Sequence, residues 1–490
     1  MTQVRSATIH DALQHAGVLV AARGVLPQFI ESITDDSRAV LGGALFLAVR
    51  GSERDGHDYL DVAQRSGAAL AIVEDPSRTE LPALVVSDTR RAAAIAAAAF
   101  YGEPAKLLRL VAVTGTNGKT TTVGMLRHLL DVVESRCASI GTLGVLVGSE
   151  GVALDGGSGL TTPGPVELQR VLRTLYDMGV RTVVMETSSH ALHQGRVEGL
   201  QFQAGVFTNL TRDHLDYHGT MEAYLAAKAL LISLLATDGA AVVNADDPAW
   251  AALPVAPSTV HFGMQGDGEV RAEDVRFTPR GSTWTLAIGV VERFAVHLPL
   301  IGDFNIANAL AATAAAWAIG MPAKEIAHKL STMPQVPGRL EIISESPIVL
   351  RDYAHTPDAL ERALAAVRPF TTRNLIVVFG CGGDRDRGKR PEMGRIAEAG
   401  ADLVIVTSDN PRTEDPERII DDIEAGMTPG RHERVEDRRE AIARAIHASH
   451  DGDVVLLAGK GHETYQIRGT AKYPFDEREI VRAIISEGVT

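Results

Sequence analysis

The chain has 490 residues, 45% hydrophobic and 22% charged, the balance of a folded globular protein too long for one core, so about three domains are expected. The formal net charge of −14, without a dominant basic block, excludes a general nucleic-acid binder but leaves room for anionic small ligands held by local Arg and Lys clusters. Two cysteines, Cys137 and Cys381, exclude a disulfide framework and a thiolate zinc site and fit a reducing compartment.

No basic segment leads into a long apolar core at the N-terminus, so no signal peptide is expected. Apolar runs at 44–49, 70–73 and 84–86 predict strands of a small α/β unit ending near Glu103-Pro104. Its polar segments, Thr34-Asp35-Asp36-Ser37-Arg38 and Gly51-Ser52-Glu53-Arg54-Asp55-Gly56-His57, read by themselves as surface turns.

The next block runs to about Met333-Pro334-Gln335-Val336-Pro337-Gly338, and in it short apolar runs keep ending in polar clusters. Residues 110–113 lead into Thr114-Gly115-Thr116-Asn117-Gly118-Lys119-Thr120-Thr121. That order aims backbone N–H groups and a helix N-terminus at an anion, with Lys119 as a point charge for phosphate and the Thr120 hydroxyl placed for Mg²⁺. Val113 stands where the common phosphate loop has its first glycine, so this is a shortened relative. Runs at 182–185, 205–207 and 241–243 lead to Glu186-Thr187-Ser188-Ser189-His190, to Thr208-Asn209-Leu210-Thr211-Arg212-Asp213-His214 and to Asn244-Ala245-Asp246-Asp247. Such alternation with helical stretches predicts a parallel sheet buried on both faces, with these clusters sharing the ligand-binding end.

Residues 304–323 carry no charge but are mostly alanine, interrupted by Asn305, Asn308, Gly320 and Pro322, and predict a buried helix rather than a membrane span. Asn305 reads as its N-cap, and Asn308, one turn on, faces the same side within reach of a purine edge.

The last block repeats the pattern, with runs at 347–351, 375–379, 403–407 and 454–458, each ending in a polar cluster, and predicts a second doubly wound domain. Arg385, Arg387, Lys389 and Arg390 crowd one loop with Asp384 and Asp386 and read as a self-compensating surface cluster. Arg412 follows Asp409-Asn410-Pro411; the proline holds the turn and the guanidinium fork suits a carboxylate. Glu186 and His214 are suitable divalent-metal ligands, although His214 also reads as an ordinary loop histidine and Lys228 as a solvated helix lysine.

Taken in order from Gly115 to Glu463, these motifs resemble the Mur ligase family of ATP-dependent amide-forming enzymes. The phosphate loop, Glu186-Thr187-Ser188-Ser189-His190, the segments 213–219 and 305–310, Gly338-Arg339-Leu340-Glu341 and 352–357 carry the family likeness. Asp409-Asn410-Pro411-Arg412 and Gly459-Lys460-Gly461-His462-Glu463 are most similar to the members adding the third residue of the peptidoglycan stem peptide, in the form that takes meso-diaminopimelate.

The resemblance implies three α/β domains: an N-terminal UDP-sugar-binding domain (1–105), a central P-loop-type ATPase domain with a parallel sheet (106–336) and a C-terminal Rossmann-like domain for the amino acid (337–490). It implies that Gly115, Thr116, Asn117, Gly118, Lys119, Thr120 and Thr121 hold ATP phosphates, with Asn308, Arg339 and Asp352 on the adenosine and ribose side. Magnesium falls to Thr120, Glu186, His214 and Lys228, the last as a carbamate formed from CO₂; Lys119, Glu186, His214 and Lys228 form the implied catalytic set. UDP-N-acetylmuramoyl-dipeptide falls to Ser37, Thr161, Thr162, Ser188, Gln194 and Arg196, and the amino acid to Arg385, Asp409, Asn410, Pro411, Arg412, Gly459 and Glu463. Ser52-Glu53-Arg54 departs from the family's uridine-side loop, and His355 and His462 are both candidates for the base that deprotonates the amine. The implied partners are small molecules only, in the cytoplasm, with a monomer expected. The alternatives are the same reaction with L-lysine, a folylpolyglutamate synthetase-like ligase, and a nucleotide-binding regulator that does not ligate.

Overall fold

The computed structural model describes residues 3–51, 54–154, 159–265, 268–278 and 280–487; Ser52 and Glu53 of the uridine-side loop lie outside them. The chain divides into two compact units, one of Met1–Arg271, Ala287–Glu292 and Asn308–Ile326, the other of Ala272–Leu286, Arg293–Ala307 and Ala327–Thr490.

Besides a short antiparallel pair, Val4–Arg5 with Phe29–Ile30, the first unit holds two large sheets. The N-terminal one has the order Leu19–Arg23, Ala83–Val86, Ala68–Val73, Ala44–Leu47, Ser32–Thr34, parallel except for its first strand. Ala44–Leu47 and Ala83–Val86 are buried at every residue, as a sheet covered on both faces requires. Helices Ser6–His15 and Thr89–Phe100 share one core with it, through Ile9, Leu13, Ala93 and Ala97. Leu60 and Ala63 of helix Leu60–Arg65 belong to the other.

In the larger sheet, Arg136–Gly141, Val180–Glu186, Arg109–Thr114, Phe202–Phe207, Leu235–Asn244 and Ser258–Gly263 lie side by side and parallel. The central strand Arg109–Thr114 therefore delivers the phosphate loop between the ends of Val180–Glu186 and Phe202–Phe207. An antiparallel hairpin, Gly144–Val147 with Val152–Leu154, extends one edge. Helix Lys119–Leu130 is buried along nearly its whole length, while Pro165–Asp177, opened by proline at its first turn, buries Leu168, Val171, Leu172 and Leu175.

The second unit is built on Glu341–Glu345, Ile348–Asp352, Val454–Ala458, Leu375–Phe379, Leu403–Val406 and Glu433–Arg434, parallel after the first strand. Helices Pro357–Val367, Lys389–Gly400 and Pro416–Glu424 share one core, and Arg438–Ala448 and Glu477–Glu487 the other, which makes it doubly wound as expected. Ile419, Ile420 and Ile423 of Pro416–Glu424 are buried, each contributing about 1.5–3 kcal/mol relative to exposure.

The charge-poor stretch forms helix Asp303–Ala318, and no described helix is long and apolar enough to cross a membrane. The capping reading of Asn305 is corrected: the helix starts at Asp303, whose carboxylate accepts from the Phe304 N–H, and the Asn305 amide donates back to Ile301 O at 2.8 Å.

Candidate functional site

Gly115 and Gly118 give the phosphate loop its shape. Both have positive φ, 144° and 83°, and a Cβ would run into the Thr208 hydroxyl at the first and the Asn308 amide oxygen at the second. Asn209, at the end of the neighbouring strand, splints the loop: its Oδ1 accepts from Asn117 N at 2.9 Å and its carbonyl from Thr116 N at 2.7 Å. The Lys119 ammonium donates to Gly115 O at 3.0 Å and Thr116 O at 2.8 Å, and Thr120 is buried in the first turn of the helix that follows. Asn308 Oδ1 lies 3.4 Å from the Thr122 hydroxyl, which brings the expected adenosine-side amide to the loop.

Glu186 pairs in register with Val113, so its carboxylate stands beside the loop's entry. It is 1% exposed and accepts from the Thr142 N–H at 2.8 Å and the Thr142 hydroxyl at 3.2 Å. Gly141 is required there, since a Cβ would collide with that carboxylate. His214 sits in the left-handed region at φ 54°, and burial pushes its imidazole below the ordinary value, with Lys119 and Lys228 adding to the shift and Asp213 opposing it. The neutral ring that results is the metal-binding form.

Lys228 corrects the solvated-helix reading. It is 1% exposed, its Nζ donates to Gly115 O at 2.7 Å, and burial, then the Lys119 charge, drive its pKa well below that of an ordinary lysine. Tyr224 gathers these parts: Lys228 Nζ lies 4.4 Å from its ring centroid, its hydroxyl is 3.3 Å from the Thr116 hydroxyl, and the His214 ring is 6.1 Å away edge-on. Among the described residues, no group of three or more His, Cys, Asp and Glu converges for a metal.

Thr161, Thr162, Ser188, Gln194 and Arg196 form one connected network in the first unit. The Thr162 hydroxyl donates to Glu186 O at 2.9 Å and accepts from Ser188 N, and Thr161 lies 3.4 Å from the Thr142 hydroxyl. Arg196 donates to Thr162 O and, through two nitrogens, to Gln194 Oε1; the Gln194 amide then donates to Tyr217 O–H. The Tyr217 ring packs 4.3 Å from His190, which is itself 4.8 Å from His214 and held near 4 by burial. Ser37 opens a short turn whose neighbour Asp35 approaches Gly164, so that turn faces the same loop.

In the second unit, Asp352 is buried and accepts from Leu340 N at 2.7 Å, and Arg339 stacks 4.8 Å over the Tyr353 ring. His462 packs 5.3 Å from the same ring and is held near 4, chiefly by burial, so it is neutral at neutral pH. His355 Nδ1 is bonded to Tyr353 O at 2.7 Å, an acceptor that fixes the proton on that nitrogen.

The basic cluster is not uniformly superficial. Arg390 is completely buried between Glu414 and Asp422, and those guanidinium bonds hold the Glu414 carboxyl near 2. Arg387 also pairs with Glu414, and Lys389 donates to His355 O, whereas exposed Arg385 bonds to Asp384 O. Arg412 adopts φ 52° and donates from its guanidinium to Gly383 O at 2.8 Å. Asp409 and Asn410, with Pro411 after them, are buried against Glu463, whose Oε2 accepts from the Asn410 amide at 2.9 Å. Gly459 has φ 115° and lies beside Asp409, where a Cβ would crowd the carboxylate.

Three domain signatures match in chain order: the Mur ligase family catalytic domain over 29–109, the Mur ligase middle domain over 113–316, and the Mur ligase glutamate ligase domain over 338–461. The chain belongs to the Mur ligase family. A curated family member, UDP-N-acetylmuramoyl-L-alanyl-D-glutamate–2,6-diaminopimelate ligase of Geobacillus kaustophilus, is 45% identical over 94% of this chain and 95% of its own. A solved structure of a Mur ligase with that name superposes with a TM-score of 0.70 at 34% identity, covering both chains completely. Folylpolyglutamate synthase of Mycobacterium tuberculosis, solved with ADP and AMPPCP, has the same fold (TM-score 0.62, 21% identity, 76% of this chain and 92% of that one).

Thr142, Asn209, Tyr217, Tyr224 and Lys460 join the site constellations without having been singled out in the sequence. Asn209 and Lys460 fall inside polar clusters already noted at strand ends and Tyr217 inside the segment 213–219, so the signal there was the segment; the contacts needed the fold.

Proposed function

We propose that the chain is an ATP-dependent ligase that joins meso-2,6-diaminopimelate to the D-glutamyl carboxylate of UDP-N-acetylmuramoyl-L-alanyl-D-glutamate during peptidoglycan precursor synthesis. The observation that carries this reading is the 45% identity, across nearly the whole of both chains, to a Mur ligase named for that reaction. The folylpolyglutamate synthase likeness, at 21% identity, supports the fold alone.

The chemistry begins with a repulsion. The acceptor carboxylate attacks the γ-phosphate of ATP, and at ~4 Å and an effective dielectric near 20 each unit-charge pair repels by about 4 kcal/mol. Lys119 and the amides of 115–120 offset that charge at the loop. Mg²⁺, when bound, neutralises phosphate oxygens; the Glu186 carboxylate, the neutral His214 imidazole and the Thr120 hydroxyl are donors of the right kind.

Lys228 fits as a further ligand only when converted. Its neutral amine adds through nitrogen to the carbon of CO₂, a proton leaves, and the carbamate puts anionic oxygens in place of an uncharged nitrogen. The Arg196–Gln194 pair and Thr161, Thr162, Ser188 and Ser37 are assigned to the UDP-sugar peptide. Asn308, Arg339 and Asp352 are assigned to the adenosine and ribose.

ADP leaves an acyl phosphate, which water would hydrolyse, and the amine of the amino acid attacks it to give the amide and phosphate. Arg412 and Arg385 are assigned to the far carboxylate and Asp409, Asn410, Gly459 and Glu463 to the ammonium, orienting the amine for attack. Incubation with ATP, Mg²⁺, the UDP-muramoyl-dipeptide and meso-diaminopimelate should give one phosphate per tripeptide product by mass spectrometry. Rapid phosphate release with ATP and Mg²⁺ alone would instead indicate a regulatory ATPase.

A further inference from the structure

Lys460 is the one member of the Asp409, Asn410, Gly459 and Glu463 cluster to which the reading above gives no task. Its side chain is entirely buried. Its Nζ reaches Asn410 Oδ1 and Glu463 Oε2 at 3.2 Å each and Asp409 Oδ1 at 3.5 Å. Three acceptors around one nitrogen match the three N–H bonds of an ammonium, whereas a neutral amine has two. The Tyr465 and Phe475 rings, each with its centroid 6.0 Å from Nζ, flank it.

The bonding is one-sided. Lys460 engages a single oxygen of each carboxylate, and Asn410, pinned by the Ile467 N–H at 2.9 Å, engages the same oxygen of Glu463. Asp409 Oδ2 and Glu463 Oε1 accept no hydrogen bond from any described residue, so each carboxylate keeps one oxygen for a ligand.

We propose that Lys460 is the internal counter-cation of the amino-acid site, a positioning residue that sets the site's charge to match a ligand end bearing both an ammonium and a carboxylate. This rests on the amino-acid assignment made under Proposed function. Asp409, Glu463 and Lys460 together carry one net negative charge, enough for one ammonium. Without Lys460 the pair carries two, and the ligand's far carboxylate, gripped by Arg412, is repelled by the excess. L-Lysine has the ammonium but no far carboxylate, so it escapes that penalty.

The test is steady-state kinetics on wild type, Lys460→Met, Lys460→Gln and Lys460→Arg with both amino acids. The neutral variants should raise KM for meso-diaminopimelate by about tenfold or more while KM for ATP and for the UDP-muramoyl-dipeptide stays within about twofold. The preference for diaminopimelate over L-lysine should fall with it, and Lys460→Arg should recover part of that preference. An unchanged diaminopimelate KM, or a parallel rise in all three KM values, overturns the proposal. So does failure of both neutral variants to fold, which makes Lys460 a structural residue. A wild type that does not consume diaminopimelate overturns the underlying assignment instead, and does so before any variant is compared.

Discussion

The side-chain nitrogens of Lys119 and Lys228 meet at one atom: Gly115 O accepts from the first at 3.0 Å and from the second at 2.7 Å. Two ammonium groups so close to one carbonyl repel each other, and burial, then the Lys119 charge, drive the Lys228 pKa well below that of an ordinary lysine. One loop carbonyl thus joins the loop's own cation, Lys119, to a buried lysine whose neutral form is favoured.

Lys228→Ala should therefore be nearly inactive, and short carboxylic acids that fit the vacated space should restore part of the activity. Turnover with and without added acid checks this. Full activity in Lys228→Ala would show that the buried amine has no chemical task.

Lys119→Ala removes the cation facing the phosphates. A fall in kcat of at least about 10²–10³-fold is expected with the circular dichroism spectrum unchanged, since the ammonium's bonds to Gly115 O and Thr116 O lie within its own loop. Near-normal turnover by a folded variant would move the ATP site elsewhere.

Asp352 offers a test of linkage. Burial pushes its carboxyl from 3.8 up to about 6, against the opposing Arg339 charge and two backbone N–H groups. The folded chain binds that proton more tightly than the unfolded one, so its stabilising contribution is complete below pH 3.8 and is lost as pH rises through about 6. Asp352→Asn keeps an oxygen for Leu340 N and removes the buried charge. Its Tm should exceed that of wild type at pH 8, by about 2–3 kcal/mol of stability, and match it at pH 4, while KM for ATP rises. Thermal unfolding at both pH values checks the sign; a variant less stable at pH 8 would contradict it.

Much of the architecture was legible because buried parallel strands write continuous apolar runs. Runs such as 205–207 and 454–458 lie within or coincide with observed strands, and the polar clusters after them are where the constellations lie. The antiparallel edge Glu341–Glu345 was missed because its residues are mostly half-exposed and carry no long apolar run. Leu19–Arg23 was missed although it lies in the apolar stretch 18–22, because as an edge strand it is mostly exposed and no polar cluster follows it. Lys228 and Arg390 show the limit at single residues. Each reads as a surface cation in its local sequence, and each is buried because partners far along the chain, Gly115 for one and Glu414 with Asp422 for the other, come to it. Local sequence records a residue's charge; the fold determines whether water reaches it.

The specificity for diaminopimelate turns on Arg412 as the reader of a carboxylate. Held at φ 52° with its guanidinium anchored to Gly383 O, it is pre-oriented, and L-lysine would leave that cation without its partner. Losing the pair should cost about 2–5 kcal/mol in transition-state binding. The direct measurement is kcat/KM for meso-diaminopimelate and for L-lysine on wild type and Arg412→Ala. Wild type should prefer diaminopimelate strongly, and Arg412→Ala should lose most of that preference through poorer use of diaminopimelate. A wild type that uses L-lysine equally well or better would contradict that specificity.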